Sequence, residues 1–279
     1  MFERSFHFVP ANRPDFLAKS GTIGADALIF DLEDAVPAAE KERAISTMAR
    51  WFVECRLRVP CYVRVNGPHE EWASLETELL AANPHVGIVL PKVASAKSVA
   101  DALHYYRAAS GRKIILLIED LQAVHHIAEL ARIEMVAGLG IGFEDLYSSF
   151  LHSFEELSLL TNRIRTELAL HTAALGIAGI DSISLDLKGG DDLERDALAA
   201  RSAGLSAKFT IHPGQLPTVH RVFSPSPEQI VNARHITQLA KSLPESTGYH
   251  VVDDEILSPP KIKKAETILS YISHHESKH

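Results

Sequence analysis

The chain has 279 residues, 46% of them hydrophobic, and its 28 Lys and Arg against 36 Asp and Glu leave a formal charge of −8. That balance, with no dense Lys/Arg run, argues against a nucleic-acid surface, because a phosphate backbone has to be neutralised by clustered cations; a polyanionic ligand would need a local basic patch. Cys55 and Cys61 are too few for a disulfide framework or a thiolate zinc site, and no apolar run approaches the ~20 residues of a membrane span. With an opening MFERSFHFVP that lacks the pattern of a secretory signal, the expectation is a cytoplasmic protein.

Eight short apolar runs rich in β-branched residues follow one another along the chain: FHFVP (6–10), ALIFDLED (27–34), CYVRVN (61–66), GIVLPKV (87–93), KIILLIED (113–120), MVAGLGIG (135–142), GIDSISLD (179–186) and AKFTIHP (207–213). Stretches such as ALIF and IILLI are apolar at consecutive positions, as parallel strands covered on both faces require. Between the runs lie segments with helical spacing, among them RPDFLAKSGT, PAAEKERAISTMARWFV, SAKSVADALHYYRAAS and LTNRIRTELALHTAAL. Regular alternation of this kind narrows the choice to a closed barrel or an open doubly wound sheet. A dinucleotide-binding sheet would carry G-x-G-x-x-G after its first strand. The nearest approach, Gly138-Leu139-Gly140, lacks the third glycine and belongs to the sixth run. The predicted fold is therefore α/β, a (β/α)8 TIM barrel over residues 1–223. A C-terminal helical extension over 224–279 contains a helix at 227–242, a turn-rich stretch from Pro244 to Pro260 and a helix from Lys261 to about His274.

Barrel active sites lie at the C-terminal ends of the strands, so the polar residues closing each run are the candidates. They are Asp31, Glu33 and Asp34; Arg64 and Asn66; Lys92; Glu119 and Asp120; Glu144 and Asp145; Asp186; and His212. Any one of these acids could cap the helix that follows it. So many converging on one rim would repel each other unless a cation neutralised them, and all-oxygen donors select Mg2+ or Mn2+. Arg64 near a strand end needs a carboxylate partner and can also clamp a substrate carboxylate through two parallel hydrogen bonds. His125, His126, His274 and His275 show no zinc-ligand spacing.

In order along the chain, RSFHFVPANRP (4–14), GADALIFDLEDAVPAAEK (24–41), YVRVN (62–66), LPKVAS (90–95), LLIED (116–120), GFEDL (142–146) and KFTIHPGQ (208–215) resemble the citrate lyase β-subunit-like branch of the HpcH/HpaI aldolases, which includes malyl-CoA and citramalyl-CoA lyases. The resemblance implies a carbon–carbon lyase acting on a small hydroxy- or oxo-acid or its coenzyme A thioester, commonly trimeric, with Mg2+ held by Glu119 and Asp145. It further implies that Arg64 orients the acid, that backbone N–H groups around Gly142 and Phe143 receive its carboxylate, and that Glu33, Asp34, Lys41 and Lys92 surround these groups. Arg13 and Lys19 are the corresponding candidates for the coenzyme A nucleotide. Two departures stand out: Ile118-Glu119-Asp120-Leu121 where the family usually reads I-E-T-A, and DDEILSPP (253–260) where it carries D-G-K-M-I-D-x-P. The second puts Ser258 in place of an aspartate that acts as acid or base in relatives. Either Asp253, Asp254 or Glu255 substitutes for it, or the reaction differs; a thioester-independent 2-oxo-acid aldolase and a non-catalytic ligand-binding homologue are the alternatives.

Overall fold

The computed structural model of the protein describes residues 2–55, 57–107, 111–153, 156–241, 248–252 and 255–276. Eight parallel strands close into a barrel in strict sequence order. These are β1 (Ser5–Pro10), β2 (Ala27–Asp31), β3 (Cys61–Arg64), β4 (Gly87–Leu90), β5 (Ile114–Ile118), β6 (Val136–Ile141), β7 (Ala178–Asp181) and β8 (Ala207–Thr210). Each of the eight runs overlaps one strand, but most strands stop short of the end of the run, because the residues that continue it have left the ladder and form the rim. The difference is largest at the seventh, where the strand ends at Asp181 and Asp186 lies out in the following loop.

The helices between the strands are α1 (Pro14–Lys19), α2 (Lys41–Glu54), α3 (Ala73–Ala82), α4 (Ala96–Tyr105), α5 (Leu121–His125), α6 (Ile127–Leu130), α7 (Phe143–Tyr147), α8 (Ser158–Leu175) and α9 (Asp191–Ser202). After β8 come α10 (Leu216–Phe223), α11 (Pro227–Ala240), a hairpin of β9 (His250–Val252) and β10 (Glu255–Leu257), and α12 (Pro259–Glu276). Among the described residues no helix is long and apolar enough to cross a membrane. Two compact units result, one running from Glu3 to Phe223 and the other from Ser224 to His279 together with Phe2.

Strand side chains alternate between two apolar layers. Phe6, Ile29, Tyr62, Val89, Ile115, Leu117, Ile180 and Phe209 fill the barrel interior. Leu28, Phe30, Val63, Leu116 and Leu139 face the helices in a larger outer core. The alternation has a consequence at the mouth: residues two positions beyond an interior side chain again face the axis. Asp31 follows Ile29, Arg64 follows Tyr62, Glu119 follows Leu117 and Ser182 follows Ile180. In the second unit α11 and α12 bury Ala233, Ile236, Leu257 and Ala265 between them, and the Tyr271 ring packs edge-on against Phe2.

Candidate active site

A cavity of about 430 Å³ opens at the C-terminal end of the barrel, of a size that suits a small ligand. Its floor is apolar, built from Phe8, Leu117, Ile183, Phe209 and Ile211. Its wall is polar and mostly acidic, with Asp31, Asp34, Arg64, Glu119, Glu144, Asp145 and Ser182.

The parallel register sets Asp31 opposite Arg64. The guanidinium donates from Nε to Asp31 Oδ1 (2.7 Å) and from Nη2 to Oδ2 (2.6 Å). Asp31, 1% exposed, also accepts the backbone N–H groups of Glu33 and Ala35, so it ties the β2 loop to the strand beside it. Burial opposes a charged Arg64, but Asp31, Glu33 and Asp34 more than offset this and raise its pKa. Asp31 is thus the carboxylate partner that a guanidinium at this strand end requires, and the Nε–Nη2 edge it occupies is not the one left for a substrate. The third nitrogen, Nη1, lies 3.0 Å from Glu33 Oε2 and 3.5 Å from Asp34. The Glu33 contact is ionic only, since Oε2 makes no hydrogen bond.

Glu119 stands where β5 ends, 6% exposed, and one of its oxygens is fixed: Oε1 accepts the backbone N–H of Lys92 at 2.5 Å. Lys92 reaches this position with φ at +52°, a left-handed conformation that costs a side-chain-bearing residue on the order of 1 kcal/mol or more. Its ammonium bonds Glu33 Oε1 at 2.6 Å, which raises its pKa. The other oxygen, Oε2, lies against Gly142, where an added Cβ would stand 2.8 Å from it. Burial first, then the neighbouring charges of Glu33 and Asp145, lifts the Glu119 pKa to about 7 against the pull of the Lys92 N–H and Arg64. A carboxylate in that state is short of positive charge. Glu33 is likewise raised by burial.

The backbone N–H groups of Gly142 and Phe143 are already engaged within the fold. Gly142 donates to Ile118 O (3.0 Å), continuing the β5–β6 ladder, and Phe143 donates to Ser182 Oγ (3.3 Å). The Phe143 ring lies 5.5 Å from the Arg165 guanidinium, part of a buried charge cluster. Arg165 pairs with both oxygens of Asp181, Lys208 bonds Asp181 and Asp196 at 2.5 and 2.7 Å, and Arg165 and Lys208 are almost wholly buried.

Of the residues singled out in the sequence, Asp31, Asp34, Arg64, Glu119, Gly142, Glu144 and Asp145 line the cavity, while Glu33, Lys92 and Phe143 brace those that do. Lys41 is buried behind them, donating to Leu32 O, Glu33 O and Asn66 Oδ1. Arg13 and Lys19 are exposed and do not line the cavity, and Arg13 is paired with Asp15. Asp120 caps α5 through the N–H of Gln122, and His212 accepts the N–H of Gly214. Asp253 and Asp254 lie outside the described residues. Ser258 Oγ accepts the N–H of Lys261 in the first turn of α12. Among the polar lining residues described, the run-by-run reading missed Ser182.

The donor set fits a hard divalent cation. Glu119 and Asp145 present oxygens to one cavity, and the missing Cβ at Gly142 keeps Glu119 Oε2 accessible. Among the described residues no three His, Cys, Asp or Glu side chains gather as a metal cage, so any cation here would keep water or substrate oxygens for its remaining positions, as Mg2+ does.

Fold and site together define a parallel (β/α)8 barrel with an acidic, oxygen-lined mouth. The chain belongs to the HpcH/HpaI aldolase/citrate lyase family, whose model matches residues 4–213. It is 27% identical over 267 residues to a citrate lyase subunit beta-like protein of Mycobacterium tuberculosis, spanning 94% of this chain and 93% of that one. It is 30% identical over 272 residues to a (3S)-malyl-CoA thioesterase of Cereibacter sphaeroides, spanning 96% and 93%. Among solved structures, CitE from M. tuberculosis in complex with magnesium, acetoacetate and coenzyme A superposes with a TM-score of 0.76 at 27% identity, over 96% of this chain and 97% of that one.

Proposed function

We propose that this protein is a Mg2+-dependent carbon–carbon lyase acting on a small hydroxy- or oxo-acid or its coenzyme A thioester, with the cation held by Glu119 and Asp145. The observation that carries this reading is the state of Glu119: buried, with one oxygen fixed by Lys92 N–H, the other open beside Gly142, and a pKa pushed up to about 7. The similar protein that holds magnesium with acetoacetate and coenzyme A supports both the ion and the ligand class.

When bound, the cation supplies Lewis-acid stabilisation of the negative charge that develops on a substrate oxygen as the carbon–carbon bond breaks. The chain's own groups then do the following. Lys92 N–H keeps Glu119 from turning away, and Gly142 leaves its second oxygen room. Asp31 holds the guanidinium of Arg64 at the cavity wall, so that the N–H groups it leaves over can stabilise charge on the acid without reorganising. The apolar floor of Phe8, Leu117, Ile183 and Phe209 excludes water from the reacting carbon. Arg13 can exchange its exposed partner Asp15 for a coenzyme A phosphate, because an exposed pair of this kind is worth little.

One observation favours a thioester-independent oxo-acid aldolase as the second reading: Ser258 is engaged at the start of α12 and carries no group that takes up and releases a proton near neutral pH. Titration of the purified protein with pyruvate, glyoxylate, oxaloacetate and acetyl-CoA, each with and without Mg2+ and followed by thermal shift, separates these readings. Metal-dependent stabilisation by an oxo-acid is expected under both, and stabilisation by acetyl-CoA only under the first. Glu119→Gln should abolish the metal dependence; retention of it would remove Glu119 from the metal site.

A further inference from the structure

A substrate carboxylate only accepts hydrogen bonds, so a cavity that takes one must supply donors. With its carboxyl groups ionised, the cavity has two side chains able to donate among the described residues, Arg64 and Ser182. Arg64 commits Nε and one N–H of Nη2 to Asp31, and Nη1 stands against Glu33 and Asp34. The backbone donors of Gly142 and Phe143 are used inside the fold, which leaves those of Glu144 and Asp145, two cavity-lining residues in the first turn of α7, as backbone N–H groups without an acceptor among the described residues.

Ser182 adds a side-chain donor to these backbone groups. Its side chain follows interior Ile180 by two positions and lines the cavity, while the residue is 4% exposed. Its Oγ accepts Phe143 N–H at 3.3 Å, which uses a lone pair and leaves the hydroxyl proton available, and a hydroxyl that already accepts one hydrogen bond is a better donor of another. A neutral donor also suits this wall, where an ammonium would pair with Glu119 or Asp145 and compete with a cation. We infer that Ser182 is a specificity-determining residue whose hydroxyl donates to the carboxylate of the bound oxo- or hydroxy-acid. The inference rests on the acid-binding function proposed above.

The test is calorimetric titration of pyruvate and 2-oxobutyrate into the full-length protein loaded with Mg2+, for the parent, Ser182→Ala and Ser182→Thr. Mg2+ affinity and thermal unfolding are measured for each protein. Loss of one hydrogen bond to a charged acceptor should weaken acid binding by about tenfold or more in Ser182→Ala, with Mg2+ affinity within about twofold of the parent; Ser182→Thr should recover most of the loss. A Ser182→Ala protein that binds the acids as well as the parent, or better because Phe143 N–H is released toward the ligand, overturns the inference and leaves the proposed function standing. A parent that binds Mg2+ but shows no metal-dependent acid binding overturns both.

Discussion

Replacing Gly142 with alanine adds one methyl group where the chain just past β6 packs against Glu119. The backbone there has φ near −110°, which alanine adopts without strain, so any effect comes from contact alone. The new Cβ would stand 2.8 Å from Glu119 Oε2 and 2.8 Å from Glu119 Cβ, and ordinary van der Waals contact would require a retreat of roughly 0.6–0.8 Å. Glu119 cannot retreat freely, because its other oxygen is held by Lys92 N–H at 2.5 Å and its surroundings are packed. Overpacking of this kind costs about 1–3 kcal/mol, and a ligand oxygen displaced by most of an ångström should weaken Mg2+ binding at least ~10-fold. Calorimetric titration of Mg2+ together with thermal unfolding reads both quantities. Parent-like Mg2+ affinity in Gly142→Ala would refute the placement of the cation at Glu119 Oε2.

Three further outcomes follow from the same geometry. Folded Glu119 holds its proton up to about pH 7 against an ordinary value of 4.5, so its contribution to stability, about 3 kcal/mol, is complete below pH 4.5 and lost as pH rises through 7. Mg2+ needs the ionised form, so its apparent affinity should rise ~10-fold per pH unit up to about pH 7 and then level; a flat profile in titrations across this range would contradict the assignment. Arg64→Lys keeps the charge but cannot serve both oxygens of Asp31, so thermal unfolding should show a loss of ~2 kcal/mol and steady-state kinetics a fall of ~30-fold or more in kcat/KM, whereas parent-like values for both would show the fork to be dispensable. Asp181→Asn leaves Arg165 and Lys208 sharing one carboxylate and should cost ~3–5 kcal/mol in denaturant unfolding while leaving Mg2+ affinity within about twofold; an equal loss of metal binding would tie the buried cluster to the site.

The eight strands were legible because most are runs of consecutive apolar residues in a regular alternation with helical segments, and the candidate ligands because they close those runs. Pairing across the barrel was not legible. Asp31 and Arg64 are 33 positions apart, and only the β2–β3 register makes Asp31 the carboxylate partner that Arg64 needs. The buried cluster carried a local signal in Lys208, a lysine inside the apolar run AKFT, but its partners Arg165 and Asp196 sit on helices in different segments. Ser182 was concealed by reading the seventh run through to Asp186; strand alternation counted from Ile180 would have placed it at the mouth, although nothing local marks its bond to Phe143.

The central claim is that the bond broken is carbon–carbon and that its cleavage depends on Mg2+ at Glu119. Its most direct test is NMR identification of the products formed from malyl-CoA and from a free 4-hydroxy-2-oxo acid, with and without Mg2+. The account predicts that turnover of either compound is Mg2+-dependent, is lost in Glu119→Gln, and yields the two fragments of carbon–carbon cleavage: glyoxylate and acetyl-CoA in the first case, an aldehyde and pyruvate in the second. Release of malate and free coenzyme A with the carbon skeleton intact, or cleavage that persists without the metal, would contradict it.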